Sequence, residues 1–176
     1  YFYQDHSEQN VIYGFPSALS LTKNWVKDDI LILCGDNFLK NVDIKEFINI
    51  YQSVNNNSKI VVGCKHLHKN EGKNYAVLDN SLVPKFVEKP GILNKTNIDN
   101  FVINDVTQEV PVYAGPLVCN KIIFEYIEKL KPSARGELEI VDLINMHKHV
   151  IPHFYNGIYF DIGSEVNYAE AIRGAI

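Results

Sequence analysis

The stretch Ile30-Leu31-Ile32-Leu33-Cys34-Gly35-Asp36-Asn37 restricts what this chain can fold into more than any other. Five apolar residues in a row, closed by a turn signal, predict a strand buried on both faces, which belongs in the middle of a parallel sheet. The carboxyl end of such a strand opens into the crevice where α/β sheets bind ligands. It would deliver Gly35-Asp36-Asn37 there, a carboxylate able to hold a divalent cation beside a glycine that lets another group come close. Taken alone, the tripeptide reads first as a helix-capping aspartate after a core strand. That balance changes because a second apolar strand, Ile158-Tyr159-Phe160, ends in Asp161-Ile162-Gly163 far down the chain.

The segments around the organising strand alternate in type. Tyr1 to Gln4 reads as a short aromatic strand, and Phe15-Pro16 starts a helix with Ala18, Leu21, Trp25 and Val26 on its apolar side. Asp43-Ile44-Lys45-Glu46 is a capping-box pattern, followed by Ile44, Phe47, Ile48 and Tyr51 on one helical face. Ile60 to Cys64 is the next strand. The order β-α-β-α-β predicts an α/β fold, a Rossmann-like mixed and mostly parallel sheet with helices on both faces.

In the middle third, Tyr75 to Leu78 and Leu82 to Val87 form a hairpin around Asp79-Asn80-Ser81. The polar run from Gly91 to Gln108 reads as an irregular loop. Val110 to Val118 is a strand in which Gly115 and Pro116 suggest a bulge or an edge. Ile122 to Leu130 and Glu137 to about Lys148 are helices, and Ser164 can cap a last one.

Composition narrows the class. With 46% hydrophobic and 22% charged residues over 176, the chain supports one globular domain spanning 1–176. A net charge of −4 offers no basic surface for nucleic acid or an anionic membrane. No apolar run has the length of a membrane span. Cys34, Cys64 and Cys119 are odd in number and set in apolar runs, as reduced core thiols of a cytoplasmic protein would be. Cys64, His66 and His68 alternate along one segment, and His147, His149 and His153 cluster near a predicted helix end. Neither spacing matches a common structural zinc pattern. The tyrosines and phenylalanines fall mostly at strand positions and read as core.

Two carboxylates meeting at one sheet edge suit Mg²⁺, which favours sites that also carry phosphates. Lys89 in Glu88-Lys89-Pro90 and Arg135 before Gly136-Glu137 supply the cations a phosphorylated substrate needs. Glu137, Glu139 and Asp142 read as support for a helix N-terminus and its solvent face.

Gly35-Asp36-Asn37, Val87-Glu88-Lys89-Pro90, Ala114-Gly115, the run from Lys131 to Asp142 and Phe160-Asp161-Ile162-Gly163 stand together in an order that resembles the sugar-1-phosphate nucleotidyltransferases. The glucose-1-phosphate thymidylyltransferase branch is the most similar, and the likeness runs nearly the whole chain. The resemblance implies that a nucleoside triphosphate, dTTP or UTP first, is joined to a sugar 1-phosphate with release of pyrophosphate. It implies Asp36 and Asp161 as Mg²⁺ ligands, Lys89 and Arg135 on the sugar phosphate, and Glu88 and Gly115 facing the sugar. Gly35 would border the substrate, and Gln9 and Gly14 would contact the base, with Gln4 a rival for Gln9. Two departures stand out. Ala76 occupies a position where the family usually carries glycine. The family's first strand and glycine-rich loop precede Tyr1, so the domain reads as N-terminally incomplete and, as a piece, inactive. The other reading is a non-catalytic relative serving as a ligand-sensing or assembly module. A homo-oligomer formed through the middle loop is compatible with either.

Overall fold

A computed structural model of the protein describes residues 12–79, 81–93, 96–163 and 165–175. The expected strand at Tyr1 to Gln4, the residues Gln4 and Gln9, and the cap at Ser164 lie outside them. The centre of the fold is β6 (Glu109–Asn120), a strand three times the length of either hairpin strand. It pairs along one side with β3 (Lys59–His68). Its other side is shared by β4 (Ala76–Asp79), opposite Val112, and β1 (Asp29–Ile32), opposite Leu117 to Asn120. β5 (Lys85–Glu88) and β7 (His149–Phe154) complete a six-stranded sheet. β1, β3 and β4 are each antiparallel to β6, and β7 is parallel to β3, so these four strands share one direction. The sheet is mixed, as expected. Of its five pairings among the described residues only β3 with β7 is parallel, where a mostly parallel sheet was expected, because β6 runs against three of its neighbours.

Helices cover both faces. On one side α2 (Ile44–Ser53) packs Phe47 and Tyr51 onto Val61, Val118 and Tyr155. Asp43 caps it by accepting from the Lys45 N–H at 2.9 Å, a bond to the second helical residue where the expected capping box requires the third. On the other side α4 (Ile122–Ile127) and α5 (Ile140–Asn145) set Ile123, Leu143 and Ile144 against Ile60, Val62 and Leu117. α1 (Phe15–Ser20) adds Phe15 and Leu19 to that cluster, with Val26 following in the connecting turn. Trp25, expected on the apolar side of that helix, lies beyond its end and is 74% exposed.

Several sequence expectations are corrected. β1 is an edge strand among the described residues, with Leu31 and Leu33 exposed, because β6 takes the central position instead. The Gly115-Pro116 bulge is real: Val62 pairs with Leu117 and Cys64 with Tyr113, so three residues of β6, Ala114 to Pro116, stand against Gly63 alone of β3. The middle loop holds a 3₁₀ turn at Ile98–Phe101 that buries Phe101 against Val77, Val110 and Val112. Glu137 to Glu139 is extended, and α5 starts only at Ile140. β2 (Asn37–Lys40), which was not expected, pairs antiparallel with β8 (Ile158–Asp161) in a separate two-stranded sheet. A short α3 (Lys69–Gly72) and the final α6 (Glu165–Ala175) complete the order.

The histidines are dispersed among structural tasks. His66 stacks on Phe154 with ring centres 4.4 Å apart, and His68 Nδ1 accepts from the Asn70 N–H at the start of α3. His153 lies edge-on to Phe47 and 3.3 Å from Glu46. His147 is buried, its Nδ1 3.1 Å from the Leu143 carbonyl, while Nε2 has no partner among the described residues. Burial pushes the His147 imidazole below its ordinary range and holds it neutral. The unfolded chain therefore binds a proton that the folded chain refuses below about pH 6.5. Stability present at neutral pH falls as the solution is acidified through that value. Urea midpoints at pH 7.5 and 5.5 should separate more in the wild type than in His147→Leu; an equal separation would contradict this.

Candidate active site

Two neighbouring strand ends bring the distant aspartates together. Cys34-Gly35-Asp36-Asn37 forms the tight turn from β1 into β2, with the Asn37 N–H donating to the Cys34 carbonyl at 3.1 Å. β2 then lies against β8 so that Asn37 faces Asp161, and the Ile162 N–H donates to the Asp36 carbonyl at 2.8 Å. Both carboxylates line a cavity of about 320 Å³. Neither forms an ion pair among the described residues. Their joint field is felt by Cys34, whose thiol is pushed up by burial and further by Asp36 and Asp161.

Cations stand on the same cavity. β5 ends in Glu88, and Lys89 follows with a left-handed backbone, φ +40°, its N–H bonded to the Tyr75 carbonyl at 3.1 Å. A non-glycine residue held there stores strain that functional sites often carry. Lys89 Nζ is 3.9 Å from the Glu88 carboxylate, which burial nevertheless holds above its usual range. Arg135 projects from a turn closed by the Gly136 N–H on the Ser133 carbonyl and the Ser133 N–H on the Glu137 carbonyl.

Of the sequence candidates, Gly14, Asp36, Glu88, Lys89, Arg135 and Asp161 all line this cavity. Gly35 is not on the wall; it lies in the turn between Cys34 and Asp36, which are, and a side chain there would meet open space. Gly115 is not on the wall. It sits behind it at φ +110°, where a Cβ would touch Leu39 and Tyr155 and come near Tyr159. Gly14 has a clear backbone reason: at φ +110° its Cβ would lie 2.2 Å from the Leu138 carbonyl oxygen. The close approach is held by the Leu138 N–H donating to the Tyr13 carbonyl at 2.8 Å. Gly14→Ala should cost about 1–3 kcal/mol of stability in urea unfolding, and a wild-type midpoint would show that the contact is soft.

Sequence reasoning missed part of the wall. Tyr75, Tyr113 and Tyr159 face the cavity, although tyrosines at strand positions read as core. Burial pushes Tyr75 up to about 12 and Tyr159 well above its ordinary value, with Asp161 adding to both. Cys34 lines the cavity too, with Sγ 3.8 Å from the Tyr113 hydroxyl. Ala76 contributes to the floor, opposite Glu88 in register. Glu139 was expected on a solvent face; its carboxylate instead grips Arg135. The Arg-x-x-x-Glu spacing was the available signal, though it acts here outside a helix.

The profile of the family described as Nucleotidyl transferase matches residues 2–175. The chain belongs to the nucleotidyl transferase family. A relative of this nucleotidyl transferase, a bifunctional sugar-1-phosphate nucleotidylyltransferase/acetyltransferase of Sulfurisphaera tokodaii, is 33% identical over 177 residues, 97% of this chain and 38% of that protein. The UTP–glucose-1-phosphate uridylyltransferase 1 of Staphylococcus saprophyticus is 25% identical, over 96% of this chain and 57% of that protein. The chain thus spans between about a third and three-fifths of the length of these curated relatives. A solved UDP-glucose pyrophosphorylase complexed with UDP-glucose shares the fold, with a TM-score of 0.74 at 19% identity over 95% of this chain and 63% of that one.

Proposed function

We propose that this nucleotidyl transferase joins a nucleoside triphosphate, dTTP or UTP first, to a sugar 1-phosphate, giving a nucleotide sugar and pyrophosphate. The observation that carries the reading is the facing arrangement of charge. Asp36 and Asp161 share one cavity with Lys89 and Arg135, in a chain of this family. The names of the relatives supply the substrate class. A sugar phosphate oxygen attacks the α-phosphorus, and the bond to the β-phosphate bridging oxygen breaks, so pyrophosphate leaves. Such a step asks the protein mainly to position the reactants and to stabilise charge on phosphoryl oxygens.

The donors present suit Mg²⁺. Two carboxylates offer hard oxygens, and among the described residues no group of three or more ligating side chains could complete a metal site alone. The remaining positions fit phosphate oxygens and water. When bound, the ion would neutralise developing phosphate charge. Lys89 and Arg135 hold the sugar phosphate, the first as a point charge and the second through planar N–H pairs. Glu88, half-buried beside Ala76, accepts from sugar hydroxyls, while Gln9 and Gly14 are the proposed contacts to the base. The proposed setting is cytoplasmic, consistent with three free cysteines, and no described helix is long and apolar enough to cross a membrane.

The test is pyrophosphate release by the full-length protein against a panel of nucleoside triphosphates and sugar 1-phosphates, with Mg²⁺ and with chelator. Turnover on the pyrimidine triphosphates that stops with chelator is expected. No release across the whole panel would overturn the reading.

A further inference from the structure

Arg135 does not stand free at the cavity. Its Nε donates to Glu139 Oε1 at 3.1 Å and its Nη2 to Oε2 at 2.7 Å, two bonds side by side. Glu139 is held in turn: the Ser133 hydroxyl donates to Oε1 at 2.7 Å and accepts from the Arg135 N–H at 3.2 Å. The Glu139 side chain is only 12% exposed, against 40% for Arg135. Burial opposes its charge, yet the bonds from Arg135 and Ser133 prevail and keep the carboxyl below the usual range.

A guanidinium carries five N–H groups in a rigid plane. Glu139 occupies the edge formed by Nε and Nη2. On the terminal edge, with one N–H from each of the two outer nitrogens, Glu137 approaches Nη2 only to 3.8 Å, beyond hydrogen-bond reach and on an exposed side chain, so that edge forms a second fork for a phosphate. The pair also stands between two spaces. Arg135 and Glu139 line the main cavity and an adjoining one of about 210 Å³, whose wall includes Glu88 and Asp142. Released from Glu139, a long cationic side chain could turn toward those carboxylates and away from the aspartate pair.

We infer that Glu139, seated by Ser133, is a positioning residue that aims the terminal edge of Arg135 at the phosphate of the sugar substrate. The inference rests on the reading above that Arg135 holds that phosphate.

The test uses the full-length protein with E139A, E139Q and R135K. E139A should raise KM for the sugar 1-phosphate by about 10- to 100-fold while KM for the triphosphate changes little, as a misplaced binding group does. E139Q, which keeps one acceptor, should fall between E139A and wild type. In ¹⁵N spectra the Arg135 Nε–H signal, identified by its loss in R135K, should be protected in wild type and exchange-broadened in E139A. An unchanged or lowered KM in E139A, alongside a raised KM in R135K, would overturn the inference and leave the reaction standing. An unchanged KM in R135K would remove the phosphate role and the inference with it. If no substrate pair turns over, the reaction reading has failed. Binding of inorganic phosphate, followed by ³¹P line broadening with R135K as the background, then decides the inference alone: it is upheld if E139A binds phosphate more weakly than wild type, and overturned if both bind alike.

Discussion

Asp36→Asn and Asp161→Asn should each lower Mg²⁺-dependent pyrophosphate release by about 100- to 1,000-fold, the usual loss when one group stabilising transition-state charge is removed. Neither change should disturb the fold. The turn holding Asp36 is closed by backbone, Asn37 N–H to Cys34 carbonyl, and Asp36 is exposed. Asp161 Oδ1 accepts from the Gly163 N–H at 3.0 Å, a bond an asparagine oxygen accepts equally well. The variants therefore change charge at nearly constant shape. If both carboxylates serve one cation, the double variant should lose little beyond either single one, because residues acting as a unit are not additive. Full additivity, or normal turnover in one variant with thermal melting unchanged, would remove the shared-cation assignment.

That these two aspartates share one edge of the fold was legible in the sequence, though for a reason the structure replaces. Two apolar strands each ending in aspartate and glycine suggested parallel strands with adjacent carboxyl ends. The two aspartates come to one cavity because β2, a four-residue strand straight after the turn, pairs antiparallel with β8. Asn37-Phe38-Leu39-Lys40 is too short for periodicity to mark it. Its partner is 120 residues away, and only the register Asn37 to Asp161 reveals it. The hairpin of β4 and β5, the cap at Asp43 and the bulge at Gly115 were readable because each is specified by residues close in sequence.

Where tertiary context decides, the sequence misleads. Ile30 to Leu33 is as apolar as a central strand, yet the centre belongs to β6, whose Gly115-Pro116 looks like an edge. β7 carries Pro152 and two histidines, and it escapes any strand pattern. It forms because β3 offers a parallel partner on one side, with Val62 opposite Pro152, and an edge strand tolerates a proline. The helix expected from Glu137 begins three residues later, since Leu138 is bonded to Tyr13 and Glu139 is turned to Ser133 and Arg135. Motif order singled out Gly14, Asp36, Glu88, Lys89, Arg135 and Asp161, which line one cavity. The three tyrosines and Glu139 were not singled out, because their position depends on which strand face meets the cavity.

The second large effect is expected far from the charges. Phe47 is wholly buried on the face of the sheet covered by α2, its ring 4.7 Å from His153 and 5.6 Å from Tyr155. It fills the space that Gly63 leaves open: a Cβ at Gly63 would lie 3.2 Å from the Phe47 ring, 3.1 Å from the Ala114 carbonyl and 3.1 Å from Pro116. The ring thus seats on the strand bulge itself. Tyr155, which it contacts, donates to the Ala114 carbonyl at 2.6 Å and stands beside Gly115 and the β2·β8 pair. Phe47→Ala should cost about 3–5 kcal/mol, the lost transfer energy of the ring plus the cavity left behind. Phe47→Leu keeps most of the volume and should cost less than about 1.5 kcal/mol. Urea unfolding of both variants checks this, and equal midpoints would mean the bulge collapses onto the vacancy. Because Tyr155 loses its neighbour in the alanine variant, Phe47→Ala should also lower pyrophosphate release in the cold, where the protein is still folded. A variant that is destabilised by the full amount yet turns over normally would show that the aspartate pair is held by β2 and β8 alone, independent of the core beneath it.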